Sequence, residues 1–129
     1  MIATGTFEIQ MKPAPAGEGA GRMSVGRMLI DKQYSGELTG IGQGEFLSAG
    51  NPAAGSAGYV AIEHVTATIG ARSGSFALQH AGVMHAGESQ LAISIVPGSG
   101  TGDFAGMTGT LKIDIVERQH HYVLDYTTA

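Results

Sequence analysis

Alternation of apolar and polar residues runs through this chain almost from end to end, interrupted by glycine-rich breaks. A period of two is the mark of a half-buried strand, because successive side chains leave opposite faces of a sheet. Thr6–Lys12 sets Phe7, Ile9 and Met11 against Thr6, Glu8, Gln10 and Lys12. Arg22–Lys32 reads as a second strand with apolar residues on both faces, and Tyr34–Leu47 as a long third one. Tyr59–Ile69 and Arg72–His85 read as a central hairpin, followed by a strand over Ser89–Val96. Met107–Val116 and Gln119–Thr127 make a last hairpin around Glu117-Arg118. Pro13–Gly21, Ser48–Gly58 and Pro97–Gly106 read as loops, and no window sustains the 3.6-residue period of a helix.

Glycine supplies 21 of the 129 residues without any collagen-like repeat, which suits many short strands joined by tight turns. In the third strand Gly36, Gly40, Gly42 and Gly44 stand at even spacing and so share a face. That pattern implies a sharp bend or a close neighbour on that side. About eight strands can build a sandwich or a barrel; short links between neighbours favour an up-and-down meander, and closing it removes the exposed edges. The expected fold is therefore all-β, a closed antiparallel barrel of about eight strands in one domain over residues 1–129. Its interior would be just wide enough for side chains or one small ligand.

Several function classes fall away on composition. The absence of cysteine removes disulfides, thiolate zinc sites and cysteine nucleophiles, and it fits a reducing, cytoplasmic compartment. Met1-Ile2-Ala3-Thr4-Gly5 has neither the basic nor the apolar part of a secretory signal, and no apolar run approaches the roughly 20 residues of a membrane span. A net charge of −4 with seven scattered Lys and Arg residues argues against nucleic acid as a partner.

The central hairpin gives the one usable site inference. If its turn is the two-residue Gly70-Ala71, Ala61 faces His80 and Glu63 faces Leu78; a four-residue loop would put Glu63 opposite His80. Either even length leaves Tyr59, Glu63, Phe76, Leu78 and His80 on one face, whereas an odd length would match Glu63 with Gln79. Phe76, Leu78 and Met84 are the bulky apolar members of their strand, so this face is taken as the interior. Glu63 and His80 would then meet inside the barrel or at its mouth, as a general acid/base dyad or as a structural buried pair.

Other constellations fail on geometry. His120 and His121 point to opposite faces of a strand, His80 and His85 differ in parity, and no His-x-x-x-His helix pair exists, so no metal site is expected. His64, His120 and His121 are expected on the surface, with Asp114 facing His121 as a cross-strand pair. From Gly100 the chain matches G-x-G-x-x-A, but alternating Leu111, Ile113 and Ile115 follow where a dinucleotide site needs a helix. The same stretch lacks the Gly-Lys-Ser/Thr ending of a P-loop, and no G-x-S-x-G elbow is present. No cofactor is expected.

Three segments carry a family resemblance: Gly58-Tyr59-Val60-Ala61-Ile62-Glu63, Gly74-Ser75-Phe76-Ala77-Leu78-Gln79-His80 and Val96 to Gly106. Over essentially its whole length the chain resembles the bacterial family of domain of unknown function 3224. That family looks like the allene oxide cyclase barrel group, and Gly-Thr-Gly-x-Phe-x-x-Met-x-Gly at Gly100 to Gly109 is similar to a segment of dirigent proteins. The resemblance implies a closed barrel and no assigned activity; within its motifs the polar positions to mark are Tyr59, Glu63, Gln79 and His80.

Three functions follow as expectations. The first is binding of one small apolar molecule in or at the mouth of the barrel, with Tyr59, Phe76, Leu78 and Gln79 as ligand-binding residues. The second is a cofactor-independent cyclase or isomerase in which Glu63 and His80 are catalytic. The third is a filled barrel that serves assembly through an exposed face, as in a homo-oligomer. Six methionines suit a permissive ligand wall and an ordinary core alike.

Overall fold

A computed structural model describes residues 1–14 and 26–128. The strands are β1 (Ile2–Pro13), β2 (Gly26–Gly36), β3 (Leu38–Asn51), β4 (Ser56–Ile69) and β5 (Arg72–His85). They continue as β6 (Glu88–Ile95), β7 (Thr101–Gly102), β8 (Thr108–Val116) and β9 (Gln119–Thr127). One turn of 3-10 helix covers Pro52–Ala54, and no α-helix occurs among the described residues. Antiparallel pairing runs β1-β2-β3-β4-β5-β6-β8-β9 and returns to β1, closing an eight-stranded meander. The two-residue β7 is an additional strand laid against β5. No described helix is long and apolar enough to cross a membrane.

The central hairpin turns on Gly70-Ala71, pairing Ile69 with Arg72, Glu63 with Leu78 and Ala61 with His80. Gly70 has φ +60°, the backbone a two-residue turn of this hand requires at its first central position. Strand parity then decides burial along both strands: Ala61, Glu63, Val65 and Ala67 are buried while Ile62, His64, Thr66 and Thr68 are exposed.

Several strand boundaries differ from the sequence reading, and β1 begins at Ile2 and not at Thr6. β2 does not stop at Lys32 but continues to Gly36, so Tyr34 belongs to β2 and not to β3. The alternation Met28, Ile30, Lys32, Tyr34 is unbroken there, and the chain reverses at Gly36, whose φ is +107°. The proposed start of this strand at Arg22–Val25 lies outside the described residues. The Ser48–Gly58 loop is shorter than expected: β3 runs to Asn51 and β4 begins at Ser56. The Asn51 side chain accepts a hydrogen bond from the Ala53 N–H and holds the 3-10 turn between them. Within Pro97–Gly106, Thr101–Gly102 pairs with β5, fastened where Asp103 accepts from the Ser73 N–H and Ser99 from the Ala77 N–H.

The barrel has two unlike halves. The half with the Gly70-Ala71 turn is filled: Leu38, Phe76, Leu78, Phe104, Met107 and Leu124 are buried, and Phe76 meets Phe104 edge-on. Tyr122 seals it, its hydroxyl accepting from the Leu38 N–H and lying against the carbonyls of Ser35 and Leu38. Among the described residues, the half bearing the 51–56, 85–88 and 117–118 turns is hollow.

Candidate functional site

Three buried polar or charged residues stand out in the barrel: Lys32, Glu63 and His80. They meet at one point. Lys32 Nζ donates to Glu63 Oε1 at 2.9 Å, and His80 Nε2 lies 2.9 Å from the same oxygen. The Tyr34 hydroxyl donates to Glu63 Oε2. With the carboxylate ionised, the His80 contact is an N–H donated from Nε2.

The sequence of β3 explains how Glu63, on β4, reaches residues of β2. β3 lies between those strands, and it carries glycine at positions 40, 42 and 44 of its inward face. A Cβ on Gly42 would sit 2.1 Å from Glu63 Oε2, so the carboxylate lies across the backbone where a side chain would stand. At Gly40 and Gly44 an added Cβ would meet the neighbouring strand's carbonyl at 2.1 and 2.2 Å, the signature of a tightly coiled strand. Gly36, read as a fourth member of this set, ends β2 instead.

Burial pushes the Glu63 carboxyl upward, but the His80 hydrogen bond, the Lys32 charge and the Tyr34 and Lys32 hydrogen bonds outweigh it and hold the group below its ordinary value. Burial and the adjacent Glu63 charge push the Tyr34 hydroxyl well above the usual tyrosine value. The Lys32 ammonium also rests 4.6 Å from the Phe7 ring centroid, a cation–π contact. Among the described residues no buried side-chain nitrogen or oxygen lacks a partner.

Above this cluster is a cavity of about 210 Å³. Lys32 and His80 border it, and its walls are chiefly apolar, including Phe7, Ile30, Leu91 and Ile113. Phe46 and Tyr59, stacked with centroids 4.4 Å apart, border both this cavity and a wider one of about 490 Å³ at the barrel mouth. Tyr59 lies over Gly82, where a Cβ would come within 2.2 Å of its ring, and burial raises its hydroxyl pKa.

Of the residues singled out from sequence, Glu63, His80 and Tyr59 come together around the hollow half. Phe76 and Leu78 share their face but are fully buried in the filled half, while Gln79 is exposed on the outside of the wall. His120, expected on the surface, is half-buried: it borders the inner cavity and tilts against Phe7 at 5.0 Å. The inward parity of Tyr122, Leu124 and Tyr126 on the same strand was the available signal. His64 is exposed as expected, whereas His121, in register with Asp114, is half-buried. Lys32 and Tyr34 were missed, although continuing the alternation of Met28 and Ile30 through Gln33 places both inside. Among the described residues no group of three or more His, Asp or Glu is placed to hold a metal ion.

The fold and the site define a small closed antiparallel barrel with an ion cluster at the floor of an apolar hollow. The chain belongs to the family described as "Protein of unknown function (DUF3224)", whose model matches residues 3–126. A protein of unknown function from the same family, from Shewanella oneidensis MR-1, has a crystal structure similar to this one. It is 41% identical over 100% of this chain and 97% of that chain, with a TM-score of 0.88. No curated protein matches the chain.

Proposed function

We propose that this protein binds one compact, mostly apolar molecule in the hollow half of its barrel, oriented by the polar floor and by Tyr59. The observation that carries this reading is the placement of Lys32 and His80, both paired with the buried Glu63, on the border of a chiefly apolar cavity of about 210 Å³. A buried ion pair is a poor way to stabilise a core, since well-packed apolar side chains of similar volume often do as well or better. A few fixed polar groups in an apolar pocket are what ligand orientation requires. Tyr59 is the ligand-facing residue retained from the sequence; Phe76 and Leu78 support the floor from below. A cytoplasmic location, consistent with the lack of cysteine, belongs to this reading.

The test is titration with the neutral fluorescent dye N-phenyl-1-naphthylamine. Saturable one-site binding is expected in the natural protein. It should be lost in Ala61→Phe, which adds a ring to the cavity wall, with the fold checked by circular dichroism. No saturable binding, or equal binding by the folded variant, would sink the proposal.

A second reading, a cofactor-independent cyclase or isomerase, is favoured by the Glu63–His80 contact of 2.9 Å. Glu63 is fully buried with both oxygens engaged, so His80, which borders the cavity, would be the proton-transfer group and Glu63 its positioning partner. The resemblance to the allene oxide cyclase and dirigent group belongs to this reading.

A further inference from the structure

We infer that the bound molecule enters polar end first, that this end is a monoanion such as a carboxylate, and that binding places a proton on His80. The inference rests on the binding reading above and deepens it. Its basis is the one-sidedness of the floor. Lys32, His80 and His120, each with side-chain nitrogen, border the inner cavity, while the carboxylate among them is 0% exposed with both oxygens occupied. Lys32 and His80 each make a single hydrogen bond, both to Glu63 Oε1, and His120 makes none among the described residues. Lys32 N–H groups, His80 Nδ1 and both His120 ring nitrogens are therefore uncommitted. A cationic ligand would meet another cation here and, among the described residues, no free carboxylate. A ligand with an acceptor head meets donors.

Charge balance supplies the proton. The Lys32 ammonium and Glu63 carboxylate cancel, so an incoming anion would leave one net negative charge in an apolar hollow, which is costly. A proton on His80 restores neutrality where it is best supported, with Nε2 still donating to Glu63 and Nδ1–H turned to the ligand. The titratable groups around His80 are Glu63 and Tyr59 on β4, Lys32 and Tyr34 on β2, and His120 on β9. β1, β3, β6 and β8 present only apolar side chains or glycine to the inner cavity.

Calorimetry with 2-naphthoate, its methyl ester and 2-naphthylmethylamine, in two buffers of different ionisation enthalpy, tests this. The acid should bind at least about tenfold more tightly than the ester, since hydrogen bonds to charged groups are the stronger ones. At a pH where His80 is neutral in the free protein it should take up close to one proton, and its affinity should fall there about tenfold per pH unit. His80→Gln keeps a donor toward Glu63 but cannot take the proton, so proton uptake and the acid's advantage should both disappear. An ester as tight as the acid, binding without proton uptake, or uptake that persists in His80→Gln would overturn the inference while leaving ligand binding standing. Failure of all three compounds and of the neutral dye would instead remove the binding reading beneath it. The natural protein's pH dependence decides the matter even if the variant does not fold.

Discussion

Moving a carboxylate out of water costs several kcal/mol, and Glu63 meets that cost with three donors converging on two oxygens. Replacing one member should expose what the arrangement holds in balance. Glu63→Gln keeps shape but leaves the Lys32 ammonium buried without a counter-charge, so a stability loss of about 3–5 kcal/mol is expected in urea unfolding. Adding Lys32→Met to that variant should recover most of the loss, because the orphaned charge is gone. A single variant within about 0.5 kcal/mol of the natural protein would mean that water reaches the site. The pH dependence has a definite sign. Glu63 is held below its ordinary value of 4.5, so its contribution is full above that pH and is lost as pH falls through the lower, folded value. The natural protein should lose stability in acid more steeply than Glu63→Gln.

At the scale of elements, β3 acts by what it lacks. Its glycines let Glu63 pass over the backbone to β2, and they let the strand coil tightly enough to close a small barrel. Gly42→Ala would drive a methyl group into a carboxylate pinned by Lys32, Tyr34 and His80, with the Tyr34 ring 3.1 Å away on the other side. Overpacking of this kind costs about 1–3 kcal/mol, and the change should also loosen dye binding by moving the floor. Unchanged melting and unchanged dye affinity would show that Glu63 can swing aside. Gly82 has a milder role, since the Tyr59 ring lying over it is only half-buried.

The whole molecule is closed, but its wall is not equally sewn. β4 and β5 pair over thirteen registered positions, whereas β6 and β8 share the single pair Ser94 with Thr110. Beyond that pair, toward the mouth, Leu91 and Ile115 border the inner cavity and are 44% and 62% exposed. This seam is the most sparsely paired of the wall. Amide hydrogen exchange should find the β8 amides that face β6 poorly protected and the alternate ones, bonded to β9, well protected. Equal protection on both edges of β8 would mean that the seam is zipped in solution.

Alternation, turn residues and strand order were legible in the sequence because each is a local property of the pleated chain. Parity alone put Glu63 and His80 on one face, and the length of the Gly70-Ala71 turn set their register. Reading the same parity through Gln33 would have found Lys32 and Tyr34 inside, and reading it back from Tyr122 would have turned His120 inward. Parity cannot tell which inward side chains meet across an intervening strand. That Glu63 touches β2 depends on the coil of β3 and on barrel closure, since only a curved wall brings the second-neighbour strand within reach of one side chain. The division into filled and hollow halves is equally tertiary: Phe104 and Met107, carried in by the connection after β6, pack one end with Tyr122, while no comparable segment among the described residues packs the other.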